Sequence, residues 1–340
     1  MLAHTIHGAR DLRLEAHDER ALAADEVRLE LAFGGICGTD IHYYNEGRVG
    51  NSIVRDPMIL GHELSARVVD TGTQIDDIER GAPVVVDPSL PCGQCRQCIA
   101  GRTNLCAAMR YLGSAAFRPH TAGGFQQRPV VKRSQCIAVA ADADLQLAAL
   151  SEPYAIALHA ISRANVSNAN VLITGAGTVG TLVAFAARRA GAAALTITDL
   201  DNTALERARL LSGADTINVG ETPLDSTATP LGPYDVAIEA SGSTAAFNSA
   251  LYNVAPGARV VQVGFVNGDG LDLNRLITGE LEIHGAYRFV DEFETAVHAV
   301  IAEPNLKQVI TSVFDFRDCE AAYAAAGDKS SNLKVLLQNS

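Results

Sequence analysis

The sequence predicts an α/β protein of two domains, one rich in β-strands and one built on a doubly wound parallel sheet. The chain has 340 residues, and at roughly 150 residues per domain two domains are expected. Up to about position 150, short β-branched runs are separated by Gly and Pro turns, which is typical of strands. From about position 165, apolar runs alternate with Ala-rich stretches, and this alternation favours a parallel sheet covered by helices.

The expected elements follow in order along the chain. In the first half, the clearest strand candidates span positions 26–31, 66–70 and 83–87. In the second half, strands are expected at 171–174, 195–199, 235–240 and 258–265, with helices between them that end near Arg188 and Leu211. A strand at 281–289, a helix over 293–302 and a last strand near 334–338 complete the chain. We therefore expect one domain from 1–150 with 288–340, and another from 151–287.

Composition and charge exclude several classes of function. Lys and Arg total 27 against 39 Asp and Glu, so the formal charge is −12, which disfavours binding to a nucleic acid backbone. The longest uncharged stretch, 164–187, contains Asn, Gly, Ser and Thr and lacks the apolar continuity of a membrane span. The first twenty residues mix acidic and basic side chains without an apolar core, so no secretory signal is expected. A cytoplasmic protein without membrane or nucleic acid partners is predicted.

A glycine-rich turn follows the first strand of the second half. The motif GAGTVG contains Gly175, Gly177 and Gly180, with Thr178 and Val179 between the last two. It follows an apolar strand and opens a predicted helix, which is the context that dinucleotide binding requires. The N–H groups at such a helix start bind phosphate groups. The motif therefore predicts a nicotinamide nucleotide site on a Rossmann sheet.

The end of the next strand indicates which nucleotide is bound. Asp199 lies nineteen residues after Gly180, where a carboxylate can accept hydrogen bonds from the ribose hydroxyls. The alternative is a simple glycine turn with a solvent-exposed Asp. A carboxylate would repel a 2′-phosphate, and no Arg follows until Arg207. NAD is therefore favoured over NADP.

Four cysteines form a compact cluster in the first domain. Their spacing is C-x2-C-x2-C-x7-C, at Cys92, Cys95, Cys98 and Cys106. Four thiolates at such intervals can surround Zn²⁺ tetrahedrally, and a site without an open position is structural. The iron–sulfur alternative uses a tighter C-x2-C-x2-C-x3-C-P run, which this segment lacks.

A second group of possible metal ligands has a mixed composition. Cys37 lies in GGICGTD, and His62 and Glu63 follow in GHE. Glu152 lies where the β-rich half joins the nucleotide-binding half, so it is a further candidate. Catalytic zinc uses such mixtures of sulfur, nitrogen and oxygen and keeps one position open for substrate. With a nicotinamide fold, this set points to oxidation of an alcohol.

The motifs GGICGTD, GHE, the four-cysteine cluster and GAGTVG occur in the order found in the zinc-containing medium-chain dehydrogenases. The chain resembles that family over essentially its whole length, and HYYNEGRVGN resembles the polyol branch. The resemblance implies a GroES-like catalytic domain, a Rossmann domain and a homodimer or homotetramer. It also implies one catalytic and one structural zinc, with Cys37, His62 and either Glu63 or Glu152 at the catalytic ion. Thr39 and His42 match the family's proton relay.

The segment GSAAFRPHTAGGF resembles family members that act on sugar acids, so a sugar acid or a polyol is the expected substrate. A substrate carboxylate needs a cation or hydrogen-bond donors. Arg288 is the first candidate and His120 the second. The structural alternatives are an ion pair of Arg288 with Asp291 or Glu292, and an exposed loop position for His120. A nucleotide-binding relative without turnover is the remaining alternative.

Overall fold

A computed structural model describes residues 1–224, 233–266 and 268–339. The chain forms two compact units: unit 1 comprises Met1–Glu152 and Phe293–Ser340, and unit 2 comprises Pro153–Glu292. The two boundaries, expected at 150/151 and 287/288, thus lie two and five residues later. Glu152 stays with unit 1, where the Tyr111 hydroxyl donates to it. Glu292 stays with unit 2, because its carboxylate is paired with His159 at 2.8 Å.

The described residues form twenty strands. In chain order they are β1 (Leu2–Gly8), β2 (Asp11–Ala16), β3 (Glu26–Ile36), β4 (Arg48–Val49), β5 (Ser52–Ile53), β6 (Met58–Ile59), β7 (Glu63–Thr71), β8 (Pro83–Val86), β9 (Ser89–Leu90), β10 (Arg110–Tyr111), β11 (Val130–Lys132), β12 (Cys136–Ala138), β13 (Asn170–Thr174), β14 (Ala194–Asp199), β15 (Asp215–Asn218), β16 (Tyr234–Glu239), β17 (Val254–Gln262), β18 (Glu282–Gly285), β19 (Ile310–Asp315) and β20 (Lys334–Gln338).

The same residues form ten α-helices. They are α1 (Gly38–Glu46), α2 (Arg96–Ile99), α3 (Leu145–Ala148), α4 (Ser151–Ala164), α5 (Thr178–Arg189), α6 (Asn202–Ser212), α7 (Thr244–Asn253), α8 (Leu273–Thr278), α9 (Glu292–Ile301) and α10 (Cys319–Gly327). Short 3₁₀ turns cover Thr103–Leu105, Arg133–Gln135 and Pro304–Val309. No helix in the described ranges is long and apolar enough to cross a bilayer.

Unit 1 is built around a mixed seven-stranded sheet. Its order is β12-β8-β7-β3-β20-β19, and β11 pairs with β3 as well. The long strand β3 pairs antiparallel with β7, so that Gly35 lies opposite Glu63. The C-terminal strand β20 pairs antiparallel with β3, with Val335 opposite Ile36. The last strand of the chain therefore lies beside the ends of the strands that carry the GGICGTD and GHE motifs.

Unit 2 is built on a six-stranded parallel sheet of order β15-β14-β13-β16-β17-β18. The order reverses between β13 and β16, and ligands bind at such a switch point, outside the carboxyl ends of the strands. β13 is fully buried from Val171 to Ile173, as a central parallel strand requires. The predicted doubly wound parallel sheet is confirmed.

Candidate active site

The first metal-ligand candidate is fixed by the start of α1. Cys37 is the N-cap residue of this helix, and its backbone N–H donates to Asp40 Oδ2 at 2.9 Å. Asp40 Oδ1 accepts from the backbone N–H of Gly61 at 3.2 Å. The fully buried Asp40 side chain thus joins the helix start to the segment before β7. This places Cys37 beside His62.

Three side chains form one possible metal site in unit 1. One ligand atom each of Cys37, His62 and Glu63 lies within 4.8 Å of the others, and His62 and Glu63 are buried. A thiolate, an imidazole and a carboxylate are a donor set that catalytic zinc uses. Glu152 does not belong to this group in the described residues. The donor chemistry therefore fits a zinc ion with an open position.

A lysine that the sequence did not identify completes this region. Lys334, at the start of β20, donates from Nζ to both carboxylate oxygens of Glu63 at 2.7 Å and to Ile36 O at 3.2 Å. Lys334 and Glu63 are both buried. A buried lysine needs such partners because burial of an unpaired ammonium is costly. The ammonium group thus balances the negative charge of Glu63 within the candidate site.

Glu152 occupies a second buried position near His62. The Tyr111 hydroxyl donates to Glu152 Oε1 at 2.5 Å, and the rings of Tyr111 and His62 lie 5.7 Å apart. Burial raises the pKa of Glu152 to about 7, although His62 and Tyr111 act in the opposite direction. Tyr111 therefore fixes the Glu152 carboxyl group and had no signal in the sequence.

The charges around His62 favour its protonated form when no metal is bound. Burial by itself lowers the pKa of His62, but the nearby Asp40 and Cys37 outweigh burial and raise this pKa to about 10. The closest Asp40 oxygen lies 3.9 Å from His62 Nδ1. Zinc binding must therefore displace a proton from this ring.

The two relay candidates lie three residues apart on α1, a spacing that places side chains on the same helix face. Thr39 Oγ1 lies 3.5 Å from His62 Nε2. His42 is exposed, and its Nδ1 is paired with Glu46 Oε1 at 2.8 Å. Thr39 therefore borders the possible metal site, and His42 borders solvent.

The four-cysteine cluster is compact. The four sulfur atoms lie within 4.8 Å of one another. The sulfur of Cys106 accepts the backbone N–H groups of Cys92 at 3.3 Å and Ala108 at 3.4 Å. Backbone N–H groups lower the pKa of Cys95 to about 6. Four convergent sulfur atoms fit a closed tetrahedral zinc site.

The glycine-rich turn has the packing expected of a nucleotide site. Gly175 has a φ of 94°, and a Cβ at Gly180 would lie 1.8 Å from the Gly175 carbonyl oxygen. A Cβ at Gly177 would meet no described atom within 4 Å, so the protein itself leaves that side open. Gly177 is the N-cap of α5, which Thr178 and Val179 begin. A phosphate can therefore approach the helix start, as the motif predicts.

Asp199 lies at the end of β14, as expected. Its carboxylate accepts the backbone N–H of Ala176 at 2.6 Å and that of Leu200 at 2.7 Å. The side chain is thus anchored to the glycine-rich turn itself. This anchoring positions the carboxylate beside the turn that would hold the pyrophosphate.

The two substrate candidates have different surroundings. His120 Nε2 accepts the backbone N–H of Arg55 at 3.0 Å, and its Nδ1 donates to Phe117 O at 2.8 Å. These bonds give His120 a structural role in its loop. The guanidinium of Arg288 lies 4.7 Å from the ring centre of Tyr287, and its backbone has a φ of 56°. Their roles toward a substrate stay predictions.

Comparison with known proteins identifies both halves of the chain. Residues 23–141 match the alcohol dehydrogenase GroES-like domain, and residues 178–302 match the zinc-binding dehydrogenase domain. The chain is 35% identical to L-idonate 5-dehydrogenase (NAD(P)(+)) of Escherichia coli, over 91% of this chain and 90% of that one. It is 30% identical to sorbitol dehydrogenase of Bacillus subtilis, over 99% and 97%.

A solved structure extends the likeness to the fold. The crystal structure of L-idonate 5-dehydrogenase from Escherichia coli superposes with a TM-score of 0.93 at 32% identity and covers 99% of this chain and 97% of that one. The GroES-like and Rossmann assignments made from the sequence are confirmed. The chain belongs to the zinc-containing medium-chain dehydrogenases.

Proposed function

We propose that this protein oxidises the C5 hydroxyl of L-idonate to give 5-keto-D-gluconate, with transfer of the hydride to NAD⁺. The observation that carries the activity is the convergence of Cys37, His62 and Glu63 in a zinc-binding dehydrogenase. The substrate is proposed from the 35% identity to a relative that acts on L-idonate.

The proposed catalytic zinc is held by Cys37, His62 and Glu63. Glu63 is preferred to Glu152 as third ligand because one of its oxygens belongs to the convergent group in the described residues and no oxygen of Glu152 does. A second zinc is proposed at the four cysteines, with a structural role. Glu152 then supplies a buried carboxyl group next to the site.

Zinc in the open site would lower the pKa of the substrate hydroxyl and so favour loss of hydride from the same carbon. Bound NAD⁺ would accept the hydride, and the hydroxyl proton would have to leave. We propose that Thr39 takes part in that proton transfer, since its hydroxyl lies 3.5 Å from the proposed ligand His62. The exposed His42 would pass the proton to solvent. The reverse reaction uses the same groups.

The proposed coenzyme is NAD rather than NADP. Asp199 provides a carboxylate beside the glycine-rich turn, where it favours ribose hydroxyls and repels a 2′-phosphate. The Escherichia coli relative carries both coenzymes in its name, NAD(P)(+). The coenzyme preference is therefore measured by comparing kcat/KM for NAD⁺ with kcat/KM for NADP⁺.

Arg288 is proposed to bind the carboxylate of the substrate. A guanidinium can hold a carboxylate with two hydrogen bonds. His120 was the other candidate, but both of its ring nitrogens have backbone partners, which favours the structural role.

A homodimer or homotetramer is proposed from the family and is measurable by light scattering.

A polyol dehydrogenase acting on sorbitol or xylitol is the alternative, favoured by the likeness to sorbitol dehydrogenase. Steady-state kinetics with L-idonate, sorbitol, xylitol and threonine, each with NAD⁺ and NADP⁺, separate the two. The highest kcat/KM for L-idonate supports the proposal. A higher value for a neutral polyol would replace it by the alternative.

A further inference from the structure

A buried carboxylate in unit 2 collects hydrogen bonds from the ends of neighbouring strands. Glu239 ends β16 and is fully buried. It accepts a hydrogen bond from Thr174 Oγ1, at the end of β13, over 3.4 Å. It accepts another from Gln262 Nε2, at the end of β17, over 2.5 Å. Side chains of three adjacent strands therefore meet at the carboxyl edge of the sheet, where nucleotides bind in this kind of fold.

The same carboxylate fixes the loop that follows β16. The backbone N–H groups of Ser241 and Gly242 donate to Glu239 Oε1 over 2.8 and 3.0 Å. The Ser241 hydroxyl donates to the same oxygen. Residues 240–242 are thus held by one side chain from the strand that precedes them.

This loop lies directly against the glycine-rich turn. A Cβ at Gly175 would lie 2.8 Å from the backbone N and Cα of Ser241, so no side chain fits between the two segments. The Gly175 N–H donates to Thr198 O at 2.7 Å, which fixes the other side of the turn. The position of the turn therefore depends on the loop that Glu239 holds.

In the described part of the chain, the Glu239 carboxylate has no counter-ion. Within the described ranges, no Lys, Arg or His nitrogen lies within ion-pair distance of its carboxylate, and only hydrogen-bond donors surround it. Burial of a carboxylate at the ends of strands costs free energy, because its desolvation must be offset by charge-assisted hydrogen bonds. Its place at the switch point suggests that these bonds serve the ligand site as well as the fold.

We infer that Glu239 is a positioning residue for the nicotinamide cofactor. By fixing residues 240–242 against Gly175, it holds the turn in the geometry that receives the pyrophosphate. The inference rests on the nucleotide site proposed above and does not depend on the identity of the alcohol. Loss of Glu239 should therefore weaken cofactor binding more than it slows the chemical step.

The test is Glu239→Gln, which keeps the size of the side chain but removes its charge and replaces one acceptor oxygen by a donor group. We expect the Kd of NADH and the KM for NAD⁺ to rise about tenfold or more, with kcat at saturating NAD⁺ and the KM for the alcohol nearly unchanged. The chain has no tryptophan, so binding is followed by the fluorescence of NADH itself.

The control lies at the opposite end of the same two strands. Asp235, at the start of β16, accepts the backbone N–H of Asn170, at the start of β13, over 2.7 Å and is exposed. Asp235→Asn should leave the Kd of NADH unchanged. An equal loss of affinity in both variants would overturn the positioning role, because it would reflect general weakening of the sheet.

A folded Glu239→Gln protein that binds NADH within about twofold of wild type would also overturn the inference. If Glu239→Gln does not fold, Gln262→Leu removes one donor and leaves the carboxylate in place. That variant should raise the Kd of NADH about threefold or more, and an unchanged Kd would overturn the inference. Wild-type protein that binds no NADH would instead refute the nucleotide site of the proposed function.

Discussion

The open site is the possible metal site formed by Cys37, His62 and Glu63. Replacement of Lys334 by methionine is expected to lower the free energy of unfolding of the protein when this site holds no zinc, and to tighten zinc binding there. Lys334 is 3% exposed, and its ammonium nitrogen lies 2.7 Å from both oxygens of the fully buried Glu63. Methionine fills a similar volume without a charge, so Glu63 would remain buried without a cation. Loss of one partner of a buried ion pair typically costs about 3–5 kcal/mol.

The loss of unfolding free energy caused by Lys334→Met should be smaller when zinc is bound. Zinc beside Glu63 supplies the positive charge that the variant lacks, and the repulsion between the metal ion and the ammonium group is gone. The two unfolding free energies and the zinc affinity form a thermodynamic cycle. If the cost falls by about 2 kcal/mol on zinc binding, the open site binds zinc about thirtyfold more tightly in the variant.

The assay combines urea unfolding, with and without zinc in the open site, and competition with a chelator, while the four-cysteine site stays loaded. Lys334→Arg keeps the charge and serves as the control, with little change in zinc affinity. The double variant Glu63→Gln with Lys334→Met removes both charges, so the metal-free protein should regain most of its stability. If Lys334→Met binds zinc no more tightly than Lys334→Arg does, the charge argument is refuted.

Four further outcomes follow from the described sites. Active protein should contain two zinc ions per chain, and chelation should remove the open-site ion first, with activity lost and the fold kept; a single zinc in active protein would contradict this. Asp199→Asn should lower the ratio of kcat/KM for NAD⁺ to that for NADP⁺, and a wild-type preference for NADP⁺ would refute the coenzyme assignment. Arg288→Ala should raise the KM for L-idonate much more than that for sorbitol, since a charge-assisted bond of about 1.5–3 kcal/mol is lost only with the charged substrate; equal increases would favour the polyol alternative. Burial lowers the pKa of His4 from 6.5 to about 4, so the unfolded chain takes up this proton first as the pH falls. The free energy of unfolding should therefore drop by about 2 kcal/mol between pH 7.5 and 5 through this group, and His4→Gln should remove that part of the pH dependence; identical pH slopes in the two proteins would contradict it.

Local patterns predicted the fold because each depends on residues close together in the chain. The parallel strands read as short apolar runs, and the strand expected near 334–338 is β20, Lys334–Gln338. The glycine motif follows β13 and opens α5, as its spacing requires. The expected boundary at 287/288 differs from the division of the chain after Glu292, whose carboxylate pairs with His159, 133 residues away. Nothing in the local pattern of 288–292 indicates that contact.

The candidate site was predictable only as far as its possible metal ligands. Cys37 and the His62-Glu63 pair lie in recognisable motifs, and Asp40 was detectable as the N3 partner of an N-cap residue. Lys334 is different, since it lies 271 residues from Glu63 and its only sequence signal is a charge at the start of an apolar strand. Ligand motifs depend on local spacing, whereas the groups that balance their charge are brought in by the tertiary fold.

Gly35 shows that a sequence motif can also contain a packing requirement that its spacing does not reveal. It is the second residue of the GGICGTD motif and lies opposite Glu63 across β3 and β7. A Cβ at Gly35 would lie 2.0 Å from Glu63 Oε2, so any side chain there would displace the carboxylate from Lys334. The glycine is thus required by the Glu63–Lys334 pair, which no local pattern revealed. The sequence motif and the charge balance of the site are therefore parts of one arrangement, in which the empty space at Gly35 is as necessary as the ammonium group.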